Sequence, residues 1–295
     1  MSGLLTTLGD AAPGWVFVAA TCFALALLCS AAGWFVALQA CGGRTRFHEV
    51  AGRYAIGSLV NAFAPAHLGG AARIGLLSRT LPGSDRVVRT GGVGAVLALA
   101  RLAALAVLVA AAAGTGRIPV WPAPVLAAGA LAAFAVARRT RPRLAGRLRH
   151  GLQIFGSVRA CGTACAWIAT SFVARVAAGC AIVAAFGVAR PLSVAVVLVW
   201  AIAIAGAVPL TPGNLGVGAG AAGVALHAMG VGVDTALGLG LAFQAAETAA
   251  GVTLGLAGAV VVSAPGTRTR RLAIVGVTVC ALAAATIGVA GLDLV

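Results

Sequence analysis

No lysine occurs in these 295 residues, and the 21 arginines are set against only six Asp and Glu. Charged residues make up 9% of the chain, where a soluble domain carries about 25%. That shortage excludes a water-soluble globule, which would need far more polar side chains to cover its surface. Metal-ligand spacing is missing too. The four histidines (His48, His67, His150, His227) are scattered, and Cys161 and Cys165, one helical turn apart, have no His or Cys neighbours to complete a set. The other cysteines (Cys22, Cys29, Cys41, Cys180, Cys280) lie in or at the ends of apolar runs, where they act as small hydrophobes and support neither a disulfide framework nor a zinc site. No nucleophile and base pairing and no Gly-rich nucleotide loop stands out, so neither catalysis, a metal nor a cofactor is expected.

What the chain does contain is apolar residue, 61% of it, with a mean hydropathy of +1.05. Runs of about 20 apolar residues recur, the length that spans a hydrocarbon layer of ~30 Å. The net charge of +15 would suit nucleic acid in a soluble protein. Here the arginines fall instead in short segments between apolar runs: Arg44, Arg46 and Arg53; Arg79, Arg86 and Arg89; Arg138 through Arg149; Arg268, Arg270 and Arg271. That is the positive-inside pattern of a multi-pass membrane protein, and no nucleic-acid partner is expected. Absence of lysine beside abundant Ala, Gly and Arg matches a GC-rich bacterial genome, so the expected location is a bacterial plasma membrane. The N-terminus lacks a basic n-region and a clear cleavage site, so the first apolar run reads as a retained helix.

Along the chain, long helices are expected at about 14–40, 87–114, 160–187, 234–262 and 272–291, with a further helix at 125–137 after the Pro-rich turn RIPVWPAP. Two segments break the pattern. Tyr54 to Ala66 is thirteen residues, reaching about 20 Å at ~1.5 Å each, which is less than a bilayer core. Pro65 and Gly69-Gly70 interrupt it before a second short helix carries Arg73 to Arg79 back to the basic side. In the second half, 192–208 and 219–230 flank PLTPGNLGVG in the same way. Both breaks read P-x-x-L-G, at Pro65 to Gly69 and at Pro212 to Gly216, and the arginines orient the helix before each in opposite directions. The expected fold is therefore all-α and polytopic, with two inverted repeats (1–150 and 151–295), each holding a broken or re-entrant helical hairpin.

At these segments, NAFAPAHLGGAARIGLLSR (Asn61 to Arg79) and VPLTPGNLGVGAGAAGVALHAMGV (Val208 to Val231), with an echo in ALARLAAL around Arg101, the chain resembles the flippase-like transmembrane region of lysylphosphatidylglycerol synthases and related free-standing bacterial membrane proteins. The resemblance implies a transport-like protein rather than a synthase, since no soluble aminoacyltransferase domain accompanies these residues. Where the family usually carries acids, this sequence has Gly70, Ala219, Ala100 and Ala104. Any role that those carboxylates play in relatives is absent or moved here.

Ionisable groups at membrane depth are the remaining candidates, because an unpaired charge at the bilayer centre costs at least ~2.5 to 3.5 kcal/mol and normally faces a cavity or a partner. They are Arg101, Arg175 and Glu247. Arg101 lies 36 residues after Pro65 and Glu247 lies 35 after Pro212, so a pseudo-two-fold axis would bring them together with Gln244 close by; Arg175 competes for the same carboxylate. The breaks themselves (Pro65, Gly69, Gly70; Pro212, Gly213, Gly216) are either packing devices or sources of free N–H groups for an anion, with Arg73 about one turn into the second arm adding charge. The expected function is translocation or binding of an anionic lipid or lipid-linked substrate. The alternative is an accessory protein supporting a partner membrane enzyme that makes envelope lipids.

Both termini are expected outside and the loop from Arg138 to Arg149 in the cytoplasm. An Ala145→Cys substitution on a cysteine-free background should resist membrane-impermeant maleimide in intact cells and react after permeabilisation. Labelling in intact cells would overturn the inverted arrangement together with the topology.

Overall fold

The computed structural model describes residues 11–64, 68–114, 157–206 and 215–292, and among these every regular element is a helix. In chain order they are α1 (Pro13–Ala40), α2 (Phe47–Phe63), α3 (Leu68–Ser78), α4 (Arg86–Gly114), α5 (Val158–Ala185), α6 (Pro191–Ala205), α7 (Leu215–His227), α8 (Val233–Val262) and α9 (Arg268–Leu292). Four of them, α1, α4, α5 and α8, are long and apolar enough to cross a membrane. Pro65, His67, Pro212, Gly213, the expected helix at 125–137 and the arginine loop after it lie outside the described residues.

Local chemistry explains most boundaries. Prolines open α1 and α6 at positions where an N–H has no helical acceptor, and Gly187, at a φ of +63°, follows α5 in the left-handed conformation that glycine adopts without strain. The first hairpin arm begins at Phe47 rather than at Tyr54, because a helix continues through polar residues where it meets the membrane surface. Glu49 in its first turn stands 3.9 Å from Arg53, one turn on. The arm ends at Phe63 because Ala64 is extended (φ −100°, ψ 138°), the conformation that a following proline imposes.

Two helix pairs organise the core. α1 and α5 run antiparallel: the Ala12 N–H donates to the Ala185 carbonyl at 3.1 Å, Ser30 Oγ bonds Ser171 Oγ at 3.0 Å, and Gly33 packs on Ile168. Phe23 of α1 meets Phe243 of α8 edge to face, with centroids 4.7 Å apart. The second pair, α2 and α8, joins along a glycine seam in which Gly52 faces Gly258 and Gly255 faces Ala55 and Leu59. Without a hydrophobic drive between helices in lipid, such close backbone contact is a main source of packing energy. The seam also fixes depth. Its antiparallel register carries Phe63, the end of α2, to the level of Glu247 at the middle of α8.

The described arginines sort by depth as the basic loops suggest. Arg44, Arg46, Arg53, Arg79, Arg86, Arg89, Arg159, Arg268, Arg270 and Arg271 lie at or near one end of the bundle, Arg190 alone among the described residues lies at the other, and Arg73, Arg101 and Arg175 lie between. At the basic end, Arg89 donates to the Cys41 carbonyl and so caps the end of α1. Outward faces are apolar, with Leu25, Val107, Val173, Val224 and Leu282 among the exposed side chains, as expected of surfaces that face acyl chains.

A β-carbon at Gly258 would stand 2.5 Å from the Gly52 carbonyl oxygen and 2.9 Å from its Cα, both backbone atoms that cannot step aside. Gly258→Val should therefore destabilise the protein by about 1–3 kcal/mol. The check is a lowered thermal midpoint in detergent, with Gly70→Ala, where nothing lies within 4 Å, leaving it nearly unchanged.

Candidate functional site

Between the hairpins and the long helices lies a cavity of about 410 Å³, within the range of ~300–1,000 Å³ for ligand sites. Leu27, Phe172, Val199, Ile202 and Phe243 form its apolar walls, and the end of α6 at Gly206 closes one side. Its polar lining comes from six different helices: Ser30 of α1, Tyr54, Ser58 and Asn61 of α2, Arg73 of α3, Arg101 of α4, Ser171 and Arg175 of α5, and Gln244, Glu247 and Thr248 of α8. Arg101, Arg175 and Glu247 each sit within four residues of the midpoint of a helix 28 to 30 residues long. Arg73 reaches in from the hairpin arm, nearer the basic end.

The charges are arranged asymmetrically. Arg175 Nη1 lies 2.6 Å from Glu247 Oε1, so these two form the ion pair. They are 27% and 29% exposed, and that exposure is onto the cavity that both line. Arg101 faces the same space, but its Nη2 donates to the Tyr54 hydroxyl at 3.0 Å. On the same tyrosine, the Arg73 guanidinium stacks with Cζ 4.1 Å from the ring centroid, while its Nη2 donates to Ser58 Oγ at 3.1 Å. Two cations thus converge on one phenol, one through its lone pair and one through its π face. Of the two candidate partners for Glu247, the fold selects Arg175. Helix geometry gives the reason, since Arg175 and Glu247 stand at matching depth on helices that both pack against α1, whereas Arg101 points to α2.

The break glycines have other work. A β-carbon at Gly69 would meet the Gly57 carbonyl oxygen at 2.6 Å, so Gly69 lets the two arms of the first hairpin close on each other. Gly70 and Gly216 have open space where a side chain would be, and neither lines the cavity. Gln244 packs against Gly218 of α7, which fixes the second hairpin arm to α8. Tyr54, Ser30, Ser58 and Ser171 escape a reading of the sequence that follows only ionisable groups. A usable signal exists for one of them: Tyr54 is the single tyrosine of the chain, placed in a short hairpin arm.

The family described as the lysylphosphatidylglycerol synthase TM region matches residues 1–255. The chain belongs to this family. No curated protein and no solved structure matches it. The lysylphosphatidylglycerol synthase TM region covers every residue that lines the cavity, from Leu27 to Gly251, so the polar centre lies within the matched portion and α9 beyond it. Membership, with the four long apolar helices, makes the chain a membrane protein associated with lipid handling.

For the ion pair, removing one partner leaves the other charged at membrane depth without compensation. Arg175→Ala and Glu247→Ala should each lower stability by about 1–3 kcal/mol, and the double substitution by less than their sum. Arg101→Ala combined with Glu247→Ala should instead be nearly additive. Thermal unfolding of the five variants in one detergent distinguishes the two couplings.

Proposed function

We propose that this chain binds an anionic lipid or lipid-linked substrate in the central cavity and carries its headgroup across a bacterial plasma membrane without altering it chemically. The observation that carries the reading is the charge balance of the cavity, in which three arginines face a single glutamate. With Glu247 held by Arg175, the remaining guanidiniums of Arg73 and Arg101 offer donors to a headgroup phosphate at a depth where water is scarce. Engagement of that one carboxylate in an ion pair also favours compensation of charge over proton transfer, hence a carrier over an enzyme.

The frame of the proposal is a pair of inverted repeats, 1–150 and 151–295. It is supported by the antiparallel crossing of α1 and α5 and by two helix pairings of the same order, unequal in extent. The first hairpin arm packs on the long helix of the second half (α2 on α8), and the corresponding arm of the second half packs on the long helix of the first (α6 on α4). A pseudo-symmetric site between two broken hairpins suits alternating access, because each half can move about a fixed centre.

Reconstitution tests it. Purified protein in proteoliposomes with fluorescent phospholipid analogues should accelerate movement of anionic lipid between leaflets. A folded Arg73→Ala variant should lose about nine-tenths of that rate, roughly the tenfold that 1.4 kcal/mol represents, and Arg73→Lys should be intermediate because it keeps charge but loses the planar fork. No movement of any lipid by wild type would favour the accessory role beside a membrane enzyme. Full activity of Arg73→Ala would leave Arg73 as an interfacial anchor for anionic headgroups.

A further inference from the structure

Resting on that reading, we infer that the cavity is selective for a doubly charged headgroup: a lipid ending in a phosphate monoester rather than in a phosphodiester. The argument is one of charge matching at membrane depth. Among the described residues Arg73 and Arg101 make no ion pair with a carboxylate, and both touch Tyr54, one at its hydroxyl and one over its ring. Of the other acids in the described residues, Glu49 and Asp234 stand in the first turns of α2 and α8 and Asp85 just before α4, all at helix ends away from the cavity.

The described lining therefore sets three guanidiniums against one carboxylate, two formal positive charges in excess. A phosphodiester brings one negative charge and leaves one guanidinium without an opposite charge. A phosphate monoester brings between one and a half and two at neutral pH, with a second pKa of about 6, and matches the site. Donor geometry points the same way. The Arg73 Nε is buried and finds no acceptor among the described residues, although its Nη2 is engaged by Ser58 and its face by Tyr54. A buried guanidinium donor of this kind calls for an acceptor. A monoester phosphate presents three terminal oxygens against the two of a diester, enough to accept from Arg73, Arg101 and a neutral donor such as Asn61, which lines the same wall.

The test compares dioctanoyl phosphatidic acid with dioctanoyl phosphatidylmethanol, which carry identical acyl chains and differ in phosphate charge. Binding to the detergent-solubilised full chain is read by calorimetry at about pH 8, where the monoester is mostly dianionic. Phosphatidic acid should bind at least about tenfold tighter, the ratio that 1.4 kcal/mol produces. Arg101→Gln and Arg73→Gln should each shrink that ratio to about threefold or less, whereas Arg101→Lys, which preserves charge, should keep it. Tyr54→Phe removes the one group in contact with both arginines that could itself ionise, and should also keep it. Equal wild-type affinity for the two lipids, or a ratio unchanged in both Gln variants, would overturn the charge-matching inference while leaving anionic lipid binding intact. Failure of either lipid to bind would instead remove the proposed function and this inference with it. Inorganic phosphate that competes as effectively as phosphatidic acid would show that the site takes free phosphate and refute the lipid assignment.

Discussion

The structure depends on the cost of holding charge away from water. Arg73, Arg101, Arg175 and Glu247 are far more expensive at the depth of a hydrocarbon layer than on a surface, and each needs a partner or a polar space to be tolerated there. One arginine finds the only carboxylate at that depth among the described residues, one finds a hydroxyl, and one finds an aromatic face and a serine. Each contact joins two different helices, so the same bonds that make the charges tolerable also tie the hairpin, the long helices and the α1–α5 core into one unit.

Two features make room for that arrangement. Small residues allow the backbones of α2 and α8 to touch, which carries the first hairpin to mid-depth and brings Tyr54 and Ser58 to the cavity wall. The break after Phe63 ends α2 at 17 residues, fewer than the roughly 20 needed to cross a bilayer core. Had the seam been built from leucine, the helices would stand apart by the width of a side chain and the first hairpin would lie farther from Glu247 on α8.

Much of this architecture is legible in the sequence, for clear physical reasons. Apolar length, arginine placement and the two proline breaks are one-dimensional properties, and each maps directly to a span, a side or an interruption. The ionisable residues at depth are equally visible, and Arg73, Arg101, Arg175 and Glu247 all line one cavity. Their pairing is not visible. Near-equal spacing from Pro65 and Pro212 suggests that Arg101 and Glu247 meet, yet Arg175 stands at ion-pair distance from Glu247 while Arg101 bonds Tyr54. The start of α2 is hidden for a different reason, since hydropathy marks where a helix enters lipid and not where its hydrogen bonding begins. Gly69 could be read from its place in P-x-x-L-G as a packing device or as part of an anion site, and its close approach to Gly57 and Asn61 shows the packing that it permits.

All three cations in the cavity are arginine, in a chain without a single lysine. Guanidinium is effectively always protonated in proteins. The positive potential of the site is thus a fixed property of the fold rather than one set by ambient acidity. Among the described lining residues no cationic side chain is left for a change of acidity to act on.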